Sequence, residues 1–445
     1  MSRIRLEEHF TYSKLIRFVL PTVAVTVITS IYTLIDGIII SNYAGELAFE
    51  VSNFVYPFLF VIGSFGYLFG VGGSSLITAT LGRKEKEHAD RIFSMLIWLM
   101  VALGIAFIIL GQIFMVPIFR LFKAEGELLE ASVEYGRLLL LFVPCNMLQY
   151  AFPSLFVADE RQDLSILFTI AGGITNLVFD LLFIARLNMG YIGSAWATAL
   201  AQIVAGIGPL LYFLFSKRSN LKMVRTSFVI EDIKGAIRNG MSEFLGDISY
   251  SAMCMAYDFQ LMKMMGNQGI SIYGVISYVN YVINGVFLGY ASGIGPVIGY
   301  HYGADNKKEL DSLLKKSMKI IFAATIAMYL LALAVSKPFS AMFVGYNDQL
   351  LRECVEAMEI DSFSYLPIGF NFFIDAYMAA QGEGKYTSIL SFMRTVVFKI
   401  GFIFVLPIFM GKAGVWLASP ASEFCAFALA ALFLNSFMKK RKAKG

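Results

Sequence analysis

The 445 residues are 58% hydrophobic and 15% charged, with a mean hydropathy of +0.68 and a formal net charge of +4. A soluble domain carries about 25% charged residues. This composition therefore excludes a soluble protein, and with it a soluble nucleotide-hydrolysing domain; no Walker motif occurs either. The apolar residues fall in runs near the ~20 residues that a membrane helix needs, without the ten-residue alternation of a transmembrane barrel.

Twelve spans follow in chain order, at about 14–40, 52–80, 92–118, 134–157, 164–185, 191–215, 240–262, 271–302, 317–336, 354–380, 387–409 and 413–437. The first run is too long for a signal-peptide core and no small-residue cleavage site follows it, so it reads as the first span. Span 1 carries Asp36. Spans 2 and 8 are rich in glycine (Gly63, Gly66, Gly70, then Gly285, Gly289, Gly293), which permits close helix approach or bending. Span 5 holds Asn176 and Asp180, four residues apart on one helix face. Thr198 lies in span 6.

A charged stretch, 216–239, leads to span 7, which carries Asp247, Met253, Tyr257 and Asp258; Tyr281 follows in span 8. The eleven-residue spacing of Asp247 and Asp258 puts them on one face. Later spans carry Asp375, then Arg394 and Lys399, then Glu423. Cys145, Cys254, Cys354 and Cys425 form no CxxC pair and read as packing residues, and His9, His88 and His301 are scattered, so no metal site is expected.

Orientation follows from lysine and arginine. Alternate connections, counted with both termini, hold 26 of the 36; the others hold 7, and 3 lie inside spans. Both termini are expected in the cytoplasm. The basic tail reads as an orientation signal or lipid-head contact, not as a nucleic-acid patch.

The chain also repeats. Gly82 and Gly303 are 221 residues apart, as are Asp90 and Asp311; Pro144 and Pro367 are 223 apart, as are Ser165-Ile-Leu and Ser388-Ile-Leu. Two copies of a six-helix unit have parallel topology, a common build of secondary transporters. The expected fold is an all-α polytopic membrane protein with twelve transmembrane helices in two six-helix lobes, related by a pseudo-two-fold along the membrane normal. The lobes would be 1–215 and 240–445, joined by a cytoplasmic linker at 216–239.

With this orientation, Asp36, Asp180 and Thr198 lie about 10 Å below the outer surface at 1.5 Å per residue, with Asn176 one turn deeper. An intramembrane acid reads as an ion or proton site, and oxygen ligands suit hard cations. The second repeat lacks this set, since Tyr257, Lys399 and Ile403 stand at the equivalents of Asp36, Asn176 and Asp180. It carries a different polar group. One account is an ion-pair network of Arg394 and Lys399 with the acids of this group, Asp247, Asp258, Asp375 and Glu423. The other has Glu423 or Asp247 facing a cavity for a positive substrate, with Met253, Tyr257 and Tyr281 supplying adaptable apolar surface.

At these residues the chain resembles the multidrug and toxic compound extrusion (MATE) family, most of all the bacterial branch that includes a staphylococcal multidrug exporter. The resemblance rests on Pro21 with Asp36-Gly37, Leu81-Gly82-Arg83, Asn176-x-x-x-Asp180, Gly193-x-Ala-x-Ala-Thr198, Tyr302-Gly303-Ala304, Arg394, Pro407 and Gly414-Val-Trp-Leu-Ala-Ser-Pro-Ala-Ser-Glu423. It implies two six-helix lobes around a central cavity, and exchange of protons or sodium for organic cations, with Asp36, Asn176, Asp180 and Thr198 as the cation-coupling site. The expectation is a monomeric transporter in the plasma membrane, not an enzyme. Its partners would be small organic cations and the bilayer, with no cofactor beyond the coupling ion. A lipid-linked-sugar flippase of related build and a multi-spanning membrane transferase are the alternatives.

Overall fold

The computed structural model describes residues 8–216 and 218–443. Arg3, Arg5, Lys217 and Lys444 of the charge count lie outside the described residues. Among those described there is no strand. The helices are α1 (Tyr12–Ile39), α2 (Glu46–Gly82), α3 (Lys86–Leu121), α4 (Gly126–Leu140), α5 (Val143–Ala158), α6 (Gln162–Asp180), α7 (Gly190–Phe215), α8 (Ile230–Met265), α9 (Asn267–Gly303), α10 (Lys307–Val344), α11 (Asp348–Ser362), α12 (Tyr365–Ala379), α13 (Gly384–Phe392), α14 (Gly401–Met410) and α15 (Lys412–Ala443). Three π-helical segments interrupt them: Ile40–Ala44 after α1, Leu181–Arg186 after α6, and Met393–Ile400 between α13 and α14.

Each expected span falls on helix. Among the described residues, eight helices are long and apolar enough to cross a membrane, or nine if the bent pair α4 and α5 counts as one. Several are far longer than needed: the 36 residues of α3 reach roughly 54 Å at 1.5 Å per residue, against a hydrocarbon layer of about 30 Å. Their charged first turns therefore lie outside it.

The expected single span at 134–157 is broken. α4 and α5 meet at 60°, because the last turn of α4 tightens into three-residue hydrogen bonds (Leu141 N–H to Leu138 O, 3.2 Å; Phe142 N–H to Leu139 O, 3.0 Å) and Pro144 opens α5. The same break recurs in the span at 354–380, where Phe363 and Ser364 donate to Ile360 and Asp361 just before Pro367. The repeat is thus written into the backbone. Left-handed residues recur with it: Gly45 and Gly266 each precede a long helix, at φ 90° and 65°. Glycine meets no steric penalty there.

The chain packs as two compact units, the first of Ile39–Met262 and the second of Met1–Ile38 with Lys263–Gly445. Packing and repeat boundaries differ by one helix each way. α1 packs with helices of the second repeat, and most of α8 with helices of the first.

Missing Cβ atoms allow both placements. A Cβ on Gly240 of α8 would strike the Leu68 carbonyl of α2, and one on Gly72 the Ala236 carbonyl, so these two backbones touch directly. In the other unit Gly285 and Gly289 of α9 lie against Thr26 of α1. There Thr26 Oγ1 donates to Gly285 O at 2.6 Å and Ser30 Oγ to Tyr281 O at 3.0 Å. The glycines of spans 2 and 8 that make these contacts are close-approach positions; Gly295 meets nothing within 4 Å.

Phe10 and Arg441, near the two ends of the described residues, both close onto the start of α10. Phe10 is fully buried among Leu15, Ile294, Leu310 and Leu313. Its N–H donates to Glu309 Oε1 at 3.0 Å, His9 pairs with the other carboxylate oxygen, and Lys316 donates to Phe10 O. Two residues on, Asp311 pairs with Arg441 of α15, which also donates to Tyr377 OH at 3.1 Å. Both described ends therefore lie on one side of this unit, and Arg441 of the basic tail is engaged with protein.

The stretch after α7 is strapped onto the other unit. Asp159, fully buried just beyond α5, accepts from Leu221 N–H at 2.7 Å and Ser219 Oγ at 2.9 Å. Asp90 accepts from Lys222 N–H at 3.0 Å, and Ser94 Oγ from Val224 N–H at 2.8 Å. Further on, His88 of α3 contacts Asp232 of α8 at 3.0 Å, and this hydrogen bond raises the imidazole pKa.

Two predictions follow from these ties. Phe10→Ala is expected to cost about 3–5 kcal/mol, read as a lower melting temperature of the purified protein. Burial raises the Asp159 carboxyl pKa despite the hydrogen bonds it accepts. A raised folded-state pKa favours the protonated form, so the strap tightens as pH falls through that value and loosens as it rises. Amide-exchange protection at Leu221 should rise on acidification from neutral pH, and Asp159→Asn should remove the dependence.

Candidate functional site

α6 turns almost its whole surface outward. Its only buried residues are Gly172, Asn176 and Asp180, spaced by four and so aligned along one face. That face packs on α7, where an added Cβ on Gly172 would lie 3.0 Å from the Ala205 Cβ. Asn176 is 7% exposed and Asp180 0%. Ile166, Leu167, Ile170, Ile174 and Val178 on the other faces are all exposed, as lipid contact requires. A helix in lipid that buries only a glycine, an amide and a carboxylate holds them inward by design of its pattern, because each would be costly in hydrocarbon.

Asp180 ends α6, and the π-helical turn Leu181–Arg186 starts at the next residue. Such turns recur at functional sites because the wider coil re-aims the groups beside it. This turn packs on α7 and on the π-helical segment Ile40–Ala44. On α7, Thr198 is half-buried, with Ser194 and Gln202 buried one turn to either side. Ser194, Thr198 and Gln202 share a face by their spacing of four. Sequence reasoning singled out Thr198 alone; the same i±4 test applied to it would have found the other two.

Asp36 is half-buried in α1, in the other packing unit. Asn176, Asp180 and Thr198 lie on the two helices of one hairpin, and Asp36 lies on α1. The substrate-cavity residues also divide. Asp247 (half-buried), Met253 and Tyr257 (both buried) lie on α8 with the first unit, while Tyr281 and Glu423 lie in the second. Asp258, 1% exposed, sits one turn past Cys254, and its Oδ2 has no hydrogen bond among the described residues.

In the second unit a buried polar network surrounds Glu423, which is 0% exposed. Its Oε1 receives Arg394 Nε at 2.9 Å and lies 3.5 Å from Lys399 Nζ; its Oε2 receives Asn371 Nδ2 at 2.9 Å. The Phe372 ring lies 4.5 Å from the guanidinium carbon of Arg394, a cation–π contact. Asp361, 4% exposed, accepts from Asn280 Nδ2 at 3.2 Å. Among the described residues Asp375 forms no ion pair; the counter-ion of Arg394 and Lys399 is Glu423. No three His, Cys, Asp or Glu side chains gather as a metal-binding group among the described residues.

The MatE family profile matches residues 21–182 and again residues 244–405. The chain belongs to the MatE family. The second match begins 223 residues after the first, the offset that relates Pro144 to Pro367. Relatives include the multidrug export protein MepA of Staphylococcus haemolyticus, 23% identical over 444 residues (98% of this chain, 95% of that protein). MepA of a Staphylococcus aureus strain is 22% identical over 440 residues (98% and 96%). Similar solved structures include an inward-facing multidrug resistance MATE transporter of the MOP superfamily, with TM-score 0.86 and 23% identity (93% of this chain, 95% of that one). A MOP superfamily transporter from Pyrococcus furiosus, described as having a binding pocket of reverse polarity, gives TM-score 0.73 at 24% identity (98% and 97%). The MatE fold is therefore that of a multi-pass membrane transporter, and the chain is not an enzyme.

Removing Glu423 would leave two half-buried cations without their ion-pair partner. Glu423→Ala is expected to destabilise this MatE protein by about 3–5 kcal/mol, while Glu423→Gln, which keeps an acceptor for Arg394, should cost less. Thermal unfolding of the purified variants checks the order.

Proposed function

We propose that the protein is a secondary active antiporter that exports organic cations, including drugs, in exchange for protons or sodium ions. The observation that carries this reading is the inward face of α6, where Asn176 and Asp180 are buried in a helix otherwise exposed to lipid. Multidrug export by the MepA relatives supports the cargo class. The charge bias of the connections supports an orientation with both termini in the cytoplasm; in this reading the protein works as a monomer in the plasma membrane.

In this mechanism Asp180, with Asn176 and Thr198, carries either the cationic substrate or the coupling ion, and Asp36 contributes a second carboxylate. A proton or sodium ion entering from outside neutralises the acid. The substrate then loses its counter-charge and leaves outward. Return to the inward-open state releases the ion to the cytoplasm and restores the negative charge for the next substrate. Coupling requires only that ion and substrate compete for the same charge. Asp247, Met253 and Tyr257 line the substrate path along α8 in this reading, the acid attracting the cation and the thioether and ring adapting to its shape.

The test is dye efflux from de-energised cells under an imposed proton gradient or an imposed sodium gradient. Wild-type efflux under one of them names the ion. Asp180→Asn should abolish efflux under that gradient while the protein reaches the membrane in normal amount. Normal efflux by a well-expressed Asp180→Asn protein would overturn the coupling role.

A further inference from the structure

The first unit carries a charged groove that the proposed transport cycle does not use. It lies between α3 and α4 and encloses about 580 Å³. Arg120 of α3 and Glu130, Glu134 and Arg137 of α4 line it, with Val116 and Val133 as apolar wall. Glu130, Glu134 and Arg137 follow one another at i, i+4 and i+7, so α4 presents them on one face. Val116 and Arg120 stand four apart on α3 in the same way.

The charges of this groove do not satisfy one another. Among the described residues none of the four forms an ion pair, and Arg120 and Glu130 make no hydrogen bond. Glu134 Oε2 accepts instead from Tyr191 OH of α7 at 2.8 Å. Arg137 commits one donor, Nη2, to Gln112 O at 3.3 Å, while Gln112 Nε2 donates to Arg137 O at 3.2 Å. A guanidinium has five N–H donors, so most of those on Arg137 stay open.

Water suffices for Arg120 and Glu130 near the helix ends, but Arg137 lies deeper. It stands about 16 Å along α4 from Gly126 at 1.5 Å per residue, level with Gln112, more than two turns inside the end of α3. Ile109, Ile113 and Phe114 beside Gln112, and Leu141 beyond Arg137, are all exposed, as lipid contact requires. A cation that opens sideways onto lipid is costly unless a polar partner accompanies it, and basic pockets between membrane helices recruit lipid head groups.

We propose that this groove binds the head group of an amine-bearing zwitterionic phospholipid, phosphatidylethanolamine, with Arg137 and Arg120 engaging its phosphate and Glu130 and Glu134 its ammonium. Guanidinium forks match phosphate oxygens. A primary ammonium brings three donors to the open carboxylate oxygens; a choline group brings none, and a glycerol head group brings only neutral hydroxyls. The exposed apolar residues flanking Arg137 lie where acyl chains run, which favours a membrane lipid over a soluble phosphoamine. The inference needs only the membrane fold and does not depend on the antiport reading.

Native mass spectrometry of the purified full-length protein tests it, with dioleoyl phosphatidylethanolamine, phosphatidylcholine and phosphatidylglycerol titrated separately. Wild type should bind the first lipid of the ethanolamine series about tenfold more tightly than either of the others, as expected for one charge-assisted contact. Glycerophosphoethanolamine, the same head group without acyl chains, should not displace it at equal concentration. Arg137→Gln should weaken phosphatidylethanolamine binding about tenfold, and Arg137→Lys, which keeps the charge, should weaken it less. Glu130→Gln should narrow the preference by strengthening phosphatidylglycerol binding, a gain that misfolding does not produce. Similar affinities for the three lipids in wild type, a preference unchanged in both Arg137→Gln and Glu130→Gln, or displacement by the soluble head group as effective as by the lipid would overturn the proposal.

Discussion

A charge buried in the hydrocarbon layer costs roughly 3 kcal/mol or more on insertion scales, and the rest of this structure is arranged around the few places where the chain accepts that cost. One is Glu423, closed in by Arg394, Lys399 and Asn371. Another is Asp180, the last of a stripe of three buried residues on an otherwise lipid-facing helix. The first arrangement neutralises a carboxylate with fixed cations of the protein. The second buries the side chain on the face that packs against α7, and in the proposed mechanism a mobile cation takes that part. Structural pairing and, in that proposal, ion exchange are two solutions to the same desolvation problem.

Around these sites the helices are held by contacts that leave little room for substitution. The α2–α8 and α1–α9 crossings bring backbone against backbone or against small side chains, at Gly72, Gly240, Gly285 and Gly289. In lipid no hydrophobic effect drives helices together, so close packing and interhelical hydrogen bonds such as Thr26 to Gly285 take its place. Outside the membrane the logic changes. The strap after α7 and the closure of Phe10 and Arg441 on α10 use ordinary capping and ion pairing, with Asp159, Asp90 and Glu309 each accepting backbone N–H groups.

Much of this was legible in the sequence. Run length and composition pointed to the helical membrane fold, and the 221–223 offsets to the repeat; the matching breaks after Leu140 and Ser362, inside spans drawn as continuous, became visible only in the backbone. The i, i+4 pairing of Asn176 with Asp180 puts both on one face by spacing alone. Ser194 and Gln202 went unremarked because short polar residues in an apolar span are common, and nothing local says which of them turn inward. The grouping of Arg394 and Lys399 was ambiguous for a different reason: α-helical spacing separates them, and nothing in Met393–Ile400 announces a π turn.

The sequence by itself determined what local covalent chemistry and patterning can determine: which segments prefer hydrocarbon, how the six-helix unit repeats, and where a carboxylate falls along a helix. Partner choice was left to the tertiary structure. Of the acids available to the two basic residues, Glu423 became their direct ion-pair partner, because three-dimensional packing sets the distances that decide Coulomb pairing. The exchange of α1 and α8 between packing units was decided there too. Helix crossings depend on surface shape across residues far apart in the chain, and no periodicity within one segment encodes its neighbour.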